Sequence, residues 1–179
     1  MTARKPVAMD RPLSRRRFGG LLAAGLAARP AAAGGLATPQ DAPILTISGR
    51  ISVRNDGDAA RFDRPMLEAL GTRGFTTSTP WYKGTTRFDG VPMRTLLRAV
   101  GASGERIVAL ALNDYSTEIP AADFEQYDVL LALKRDGEYM PVRDKGPLFI
   151  VYPFDSTPEL QAQKFYNRSA WHLAQLVVG

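Results

Sequence analysis

The sequence predicts a mixed α/β, mainly β, single domain behind an export segment. Three observations predict it: many short apolar or β-branched runs, each bounded by turn residues; only two segments with the spacing of a buried helical face; and 179 residues without a cysteine. Strands alternating with long helices, which a βαβ nucleotide fold needs, are missing from the pattern.

The first run, residues 44–53, alternates well enough for a strand, and the Asn-Asp-Gly-Asp cluster at 55–58 is a turn signal. Asp63 then caps a short helix with Pro65 in its first turn, Met66, Leu67 and Leu70 on one face, and Gly71 as its stop. Residues 74–92 follow with six Ser or Thr hydroxyls around Trp81 and Tyr82; β-branched Thr and the residue before Pro80 favour an extended chain. Pro92 opens a second helix, with Met93, Leu96, Leu97 and Val100 on its buried side and Gly101 beyond its end. Short strands are expected over 107–112, 118–120, 129–133, 139–142, 148–152 and 171–178.

Residues 14–18 read SRRRF and precede a weakly apolar, Gly- and Ala-rich stretch, then a run of small residues. That order is an export signal of the twin-arginine type, so residues 1–37 are expected to be a cleaved signal peptide and residues 38–179 the folded domain, in the periplasm. The apolar stretch is too short for a membrane span, which takes roughly 20 apolar residues, so no membrane anchor is expected after cleavage.

Setting that segment aside changes the charge reading. Seven of the 23 Lys and Arg lie in residues 1–37 against one acid, leaving 16 bases and 17 acids in the domain. Such a balanced surface lacks the basic stripe that nucleic-acid binding requires. The missing cysteines exclude a disulfide framework, thiolate metal ligation and thiol nucleophiles. His172 is the only histidine; it could serve as a base, but in its alternating run it reads as a structural or surface residue. No nucleophile elbow, phosphate loop or dinucleotide fingerprint occurs, so no catalytic residue is assigned.

Candidate binding residues lie where strands end. Asp114 and Tyr115 follow the 107–112 run, where an Asx-turn is the competing explanation for the carboxylate. Tyr152 and Asp155 leave the 148–152 run in the same manner, and Arg168 stands three residues before Trp171. Trp81, flanked by Thr79 and other hydroxyls instead of aliphatic neighbours, suits a planar, heteroatom-rich ligand that stacks on its ring; burial in a core is the alternative.

In order and spacing, FDGVPMRTLL (88–97), LNDYSTEIP (112–120), VLLALKRDGEYMPVRDKGPLFIVYP (129–153) and RSAWHL (168–173) resemble the molybdopterin-binding domain of the sulfite oxidase fold. The resemblance covers about residues 44–179 and implies a largely β arrangement that cradles a pterin. Metal-bearing members ligate molybdenum through a cysteine in the strand and loop before the F-x-G-V-P element, a region that here holds hydroxyls and Trp81 but no sulfur. The sequence thus looks like the small cysteine-free exported relatives, which implies a reduced pterin of the monapterin or biopterin kind as ligand. It further implies a partner, the periplasmic domain of an inner-membrane signalling protein that controls cyclic-di-GMP. An oxidoreductase holding the molybdenum cofactor without protein sulfur is the alternative. On the pterin reading, Asp114, and after it Asp155, would accept the paired N–H donors of the ring edge; Trp81 or Tyr115 would stack; Thr79, Tyr152 and Arg168 would take the 4-oxo group and the side-chain hydroxyls.

Overall fold

The computed structural model describes residues 35–179, so the export segment expected over 1–37 lies almost wholly outside the described residues. The first strand of the described residues is β1 (Leu45–Gly49), whose alternation buries Leu45 and Ile47. β1 is shorter than the expected 44–53 strand because Gly49 takes φ 87°, where a Cβ would strike the carbonyl of Val178; the chain turns off the sheet there. β2 (Ala60–Phe62) pairs antiparallel with β1 and leads into α1 (Arg64–Ala69). Asp63 caps α1 as expected, its carboxylate accepting the Met66 N–H at 2.9 Å.

The hydroxyl-rich stretch is a hairpin, β3 (Arg73–Thr79) and β4 (Tyr82–Pro92), with Pro80 and Trp81 at its tip. α2 (Met93–Ala99) buries Met93, Leu96 and Leu97, the face the sequence spacing predicts. β5 (Arg106–Ala111) and β6 (Ser116–Pro120) form a second hairpin, and Asp114 and Tyr115 lie in its loop. α3 (Ala121–Gln126), β7 (Leu130–Arg135), β8 (Glu138–Tyr139), β9 (Phe149–Val151), α4 (Gln163–Arg168) and β10 (Leu173–Val178) complete the chain. The strand expected over 139–142 stops at Tyr139; Val142 begins a 3-10 turn and is exposed. α3 and α4 were not expected, since each is six residues long and neither has a capping side chain.

The strands of the described residues make two five-stranded sheets. One runs β2-β1-β10-β5-β6, with β1 and β10 parallel; the other runs β3-β4-β7-β8, with β9 also on β7. Between them lies a core of Phe62, Phe88, Met93, Leu96, Leu131, Phe149 and Leu176, all buried. Burying each such side chain contributes about 2 kcal/mol, which supports a fold with no disulfide. The result is a mixed α/β, mainly β, domain, as the sequence predicts.

Candidate ligand site

The β3–β4 tip folds over onto rings from far along the chain. Trp81 lies 5.4 Å from Phe149, 6.0 Å from Phe154, 6.1 Å from Tyr166 and 5.1 Å from Trp171, centroid to centroid, each edge-on. Its neighbours in sequence are hydroxyls, but its neighbours in space are aromatic. The expectation of an exposed ring among hydroxyls is therefore corrected: Trp81 is half-buried and is partly a packing residue. Thr79 supports the tip, its Oγ1 accepting the Trp81 N–H at 3.3 Å.

Trp171 extends the cluster toward solvent. Its ring is within 9° of parallel to that of Tyr115, with centroids 6.5 Å apart, at the wide end of the range for stacked pairs. Tyr115 is exposed, and its hydroxyl donates to the Asn167 carbonyl at 2.7 Å, which ties the β5–β6 loop to α4. Asp114 is also exposed, at φ 63°, and its carboxylate has no hydrogen-bond or ion-pair partner among the described residues. No Asx-turn hydrogen bond from its side chain accounts for it.

Lys145, which sequence reasoning missed, sits beside these rings. Its ammonium is 5.0 Å from the Tyr82 ring and 5.3 Å from the Trp171 ring, and no carboxylate among the described residues pairs with it. Tyr82 in turn donates to Asp144 at 3.0 Å, and its phenol is pushed up to about 12 by burial. In sequence, Lys145 is only part of a turn cluster; its place depends on the 3-10 turn and on the distant Trp171, and no local signal reveals it. His172 serves structure, its Nδ1 donating to the Gly146 carbonyl at 2.8 Å.

Three of the expected ligand residues, Tyr152, Arg168 and Asp155, bond to the protein itself. Tyr152 is fully buried and its hydroxyl donates to Asp123 Oδ2 at 2.7 Å; the same oxygen accepts from Arg168 Nη1 at 2.9 Å. Burial drives the Tyr152 phenol far above its ordinary range. Tyr152 is thus a core residue joining β9 to α3, with no exposed group for a ligand, and Arg168 ties α4 to the same carboxylate through its Nη1. Asp155 likewise spends its carboxylate on Ser78, accepting from both the backbone N–H and the hydroxyl, while its own N–H donates to Thr77 Oγ1 at 3.0 Å. These hydrogen bonds, that of the Ser78 hydroxyl foremost, hold the Asp155 carboxyl below its ordinary range.

The eight expected residues therefore separate. Trp81, Trp171 and Tyr115 meet in one cluster, with Thr79 behind it and Asp114 beside Tyr115 in its loop; Tyr152 and Arg168 meet on Asp123, and Asp155 on Ser78.

With this geometry in view, comparison with known proteins places the chain. Residues 62–155, just over half its length, match the family model of the oxidoreductase molybdopterin binding domain, and the chain belongs to that family. No curated protein matches it significantly.

The family implies a molybdenum cofactor, and the donors present do not fit the metal. The hydroxyl-rich hairpin offers only Ser and Thr oxygens, the chain has no cysteine, and the Ser78 hydroxyl donates to Asp155. No group of three or more His, Asp or Glu among the described residues is disposed to hold a metal ion. A protonated hydroxyl is a poor ligand where a soft thiolate is wanted. The aromatic cluster, by contrast, has groups suited to a flat heterocycle: the exposed Tyr115 ring near-parallel to the half-buried Trp171 ring, a carboxylate in the adjoining loop with no partner among the described residues, and the Lys145 cation.

Proposed function

We propose that the protein is a periplasmic binding protein for a free, reduced pterin of the monapterin or biopterin kind, and that the loaded form acts on the periplasmic domain of an inner-membrane signalling protein controlling cyclic-di-GMP. The observation that carries the ligand reading is the pairing of the near-parallel Tyr115 and Trp171 rings with the free carboxylate of Asp114, in a pterin-binding family domain that has no thiolate. A pterin presents two adjacent N–H donors on its 2-amino edge, and a carboxylate accepts both side by side. Stacking on an aromatic face adds roughly 1 kcal/mol beyond plain burial. With Tyr152 and Arg168 committed to Asp123, the Lys145 ammonium is the group best placed to meet the 4-oxo oxygen.

Family membership supports a second reading, a molybdopterin-dependent oxidoreductase domain that holds the cofactor without protein sulfur. The test is an anaerobic titration of the purified domain with tetrahydromonapterin, followed by quenching of Trp81 and Trp171 fluorescence. Saturable quenching at one pterin per chain is expected. Absence of quenching, together with tight uptake of molybdenum cofactor, favours the second reading.

A further inference from the structure

Bordered by Pro153, Ser156 and Thr157 of the loop after β9 lies a cleft of about 850 Å3, lined also by Arg73, Phe75, Arg94, Tyr127 and Asp128 among others and by none of the eight residues discussed above. One wall is the edge of a sheet: among the described residues β3 pairs with β4 alone. Residues of an antiparallel strand alternate between those whose main-chain groups bond the neighbour and those whose groups face away. Ser78 is of the second kind, because its N–H donates to Asp155 and not to β4. The β3–β4 register is unbroken from Arg73 to Ser78, so Thr76 and Gly74 also turn their N–H and C=O groups outward. Asp155 covers the edge at Ser78; Gly74 and Thr76, both exposed, make no other main-chain bond among the described residues. An open edge of this kind is a template for another strand.

The charges in the cleft select what kind of strand. Asp128 is paired with Arg94, and Glu159 with Lys164. Arg73, at the start of the open edge, has no ion-pair partner among the described residues. We propose that the β3 edge and its cleft dock an extended peptide segment of another protein, which adds as a strand beside Gly74–Thr76 and carries an acidic side chain that meets Arg73. Asp155 already gives Ser78 the acceptor that the carbonyls of such a strand would give Thr76 and Gly74. This surface is separate from the aromatic cluster and stands whether or not a pterin binds there.

The experiment uses the isotopically labelled protein and the synthetic peptide Ac-Thr-Val-Glu-Val-Thr-NH2, with the amide resonances followed by NMR. Saturable shifts at Gly74, Phe75 and Thr76 are expected, with affinity falling about tenfold for the peptide with Lys in place of Glu and for Arg73→Glu. Thr76→Pro removes an outward donor and should abolish the shifts; should that variant not fold, the peptide N-methylated at both Val residues asks the same question from the other side. No saturable shift at these amides, equal binding of the Glu and Lys peptides, or undiminished binding of the N-methylated peptide would overturn the proposal.

Discussion

Ser78 and Asp155, 77 residues apart in sequence, are joined by two hydrogen bonds, from the Ser78 N–H and hydroxyl to one carboxylate. The pair anchors the loop after β9 to the hairpin that carries Trp81. Asp155→Asn should leave the fold in place and cost of order 1 kcal/mol, the worth of charge-assisted hydrogen bonds reduced by solvent screening at an exposed site. Urea unfolding checks the value, and a neutral substitution would show that the loop is held by Phe154 packing alone.

Asp114→Asn is the cleanest probe of ligand recognition. Asn tolerates the positive φ at this position, so stability should hold, whereas Ala there would add backbone strain. Replacing the carboxylate exchanges one of its two acceptors for a donor, and pterin affinity should drop about tenfold to a hundredfold, or roughly 1.5–3 kcal/mol. Calorimetric titration of the variant measures it.

Tyr115 and Trp81 should behave differently when truncated. Tyr115 is exposed, so Tyr115→Ala should weaken binding with little change in melting temperature. Trp81 touches four rings, so Trp81→Ala should weaken binding and also destabilise the domain by about 2–3 kcal/mol. Thermal melts run beside the titrations separate the two effects.

The Asp123 pairing should be among the costliest to break. Asp123→Ala strands the Tyr152 hydroxyl and the Arg168 guanidinium together and should cost about 3 kcal/mol or more, whereas Tyr152→Phe, which leaves the ion pair, should cost about 1 kcal/mol. Equal losses in the two variants, read from urea unfolding, would contradict this ordering.

Acid should destabilise the domain through two carboxylates. The N–H groups of Asp41, Met66 and Gln40 all donate to buried Asp63, and together they hold its carboxyl below the ordinary 3.8; Asp155 is lowered in the same direction by Ser78. A depressed folded pKa means that the stabilisation is fully present above 3.8 and is lost as pH falls through the lowered folded values. Unfolding free energies between about pH 6 and pH 2 should therefore decline mainly below pH 4, and Asp63→Asn should flatten that decline.

The helix caps, the buried face of α2 and most strands were legible because they depend on neighbours in sequence: Asp63 before Pro65, or Met93, Leu96 and Leu97 at one helical spacing. The partners of Trp81 were not legible. Its local hydroxyls suggest exposure, and the rings that enclose it arrive from β9, α4 and the short segment between α4 and β10. Tyr152 and Asp155 stand at a strand end, as read, yet a carboxylate and a serine in distant segments claim their polar groups. Lys145 and Asp123 carried no signal at all, since the value of each comes from tertiary contact.

The most direct measurement is the content of pterin and molybdenum in one sample of the protein purified anaerobically from the periplasm, by mass spectrometry of the heat-released supernatant and metal analysis of the same preparation. The expected result is one reduced pterin per chain without stoichiometric molybdenum. Stoichiometric molybdenum, or a preparation that neither carries nor takes up any pterin, would contradict the proposed function.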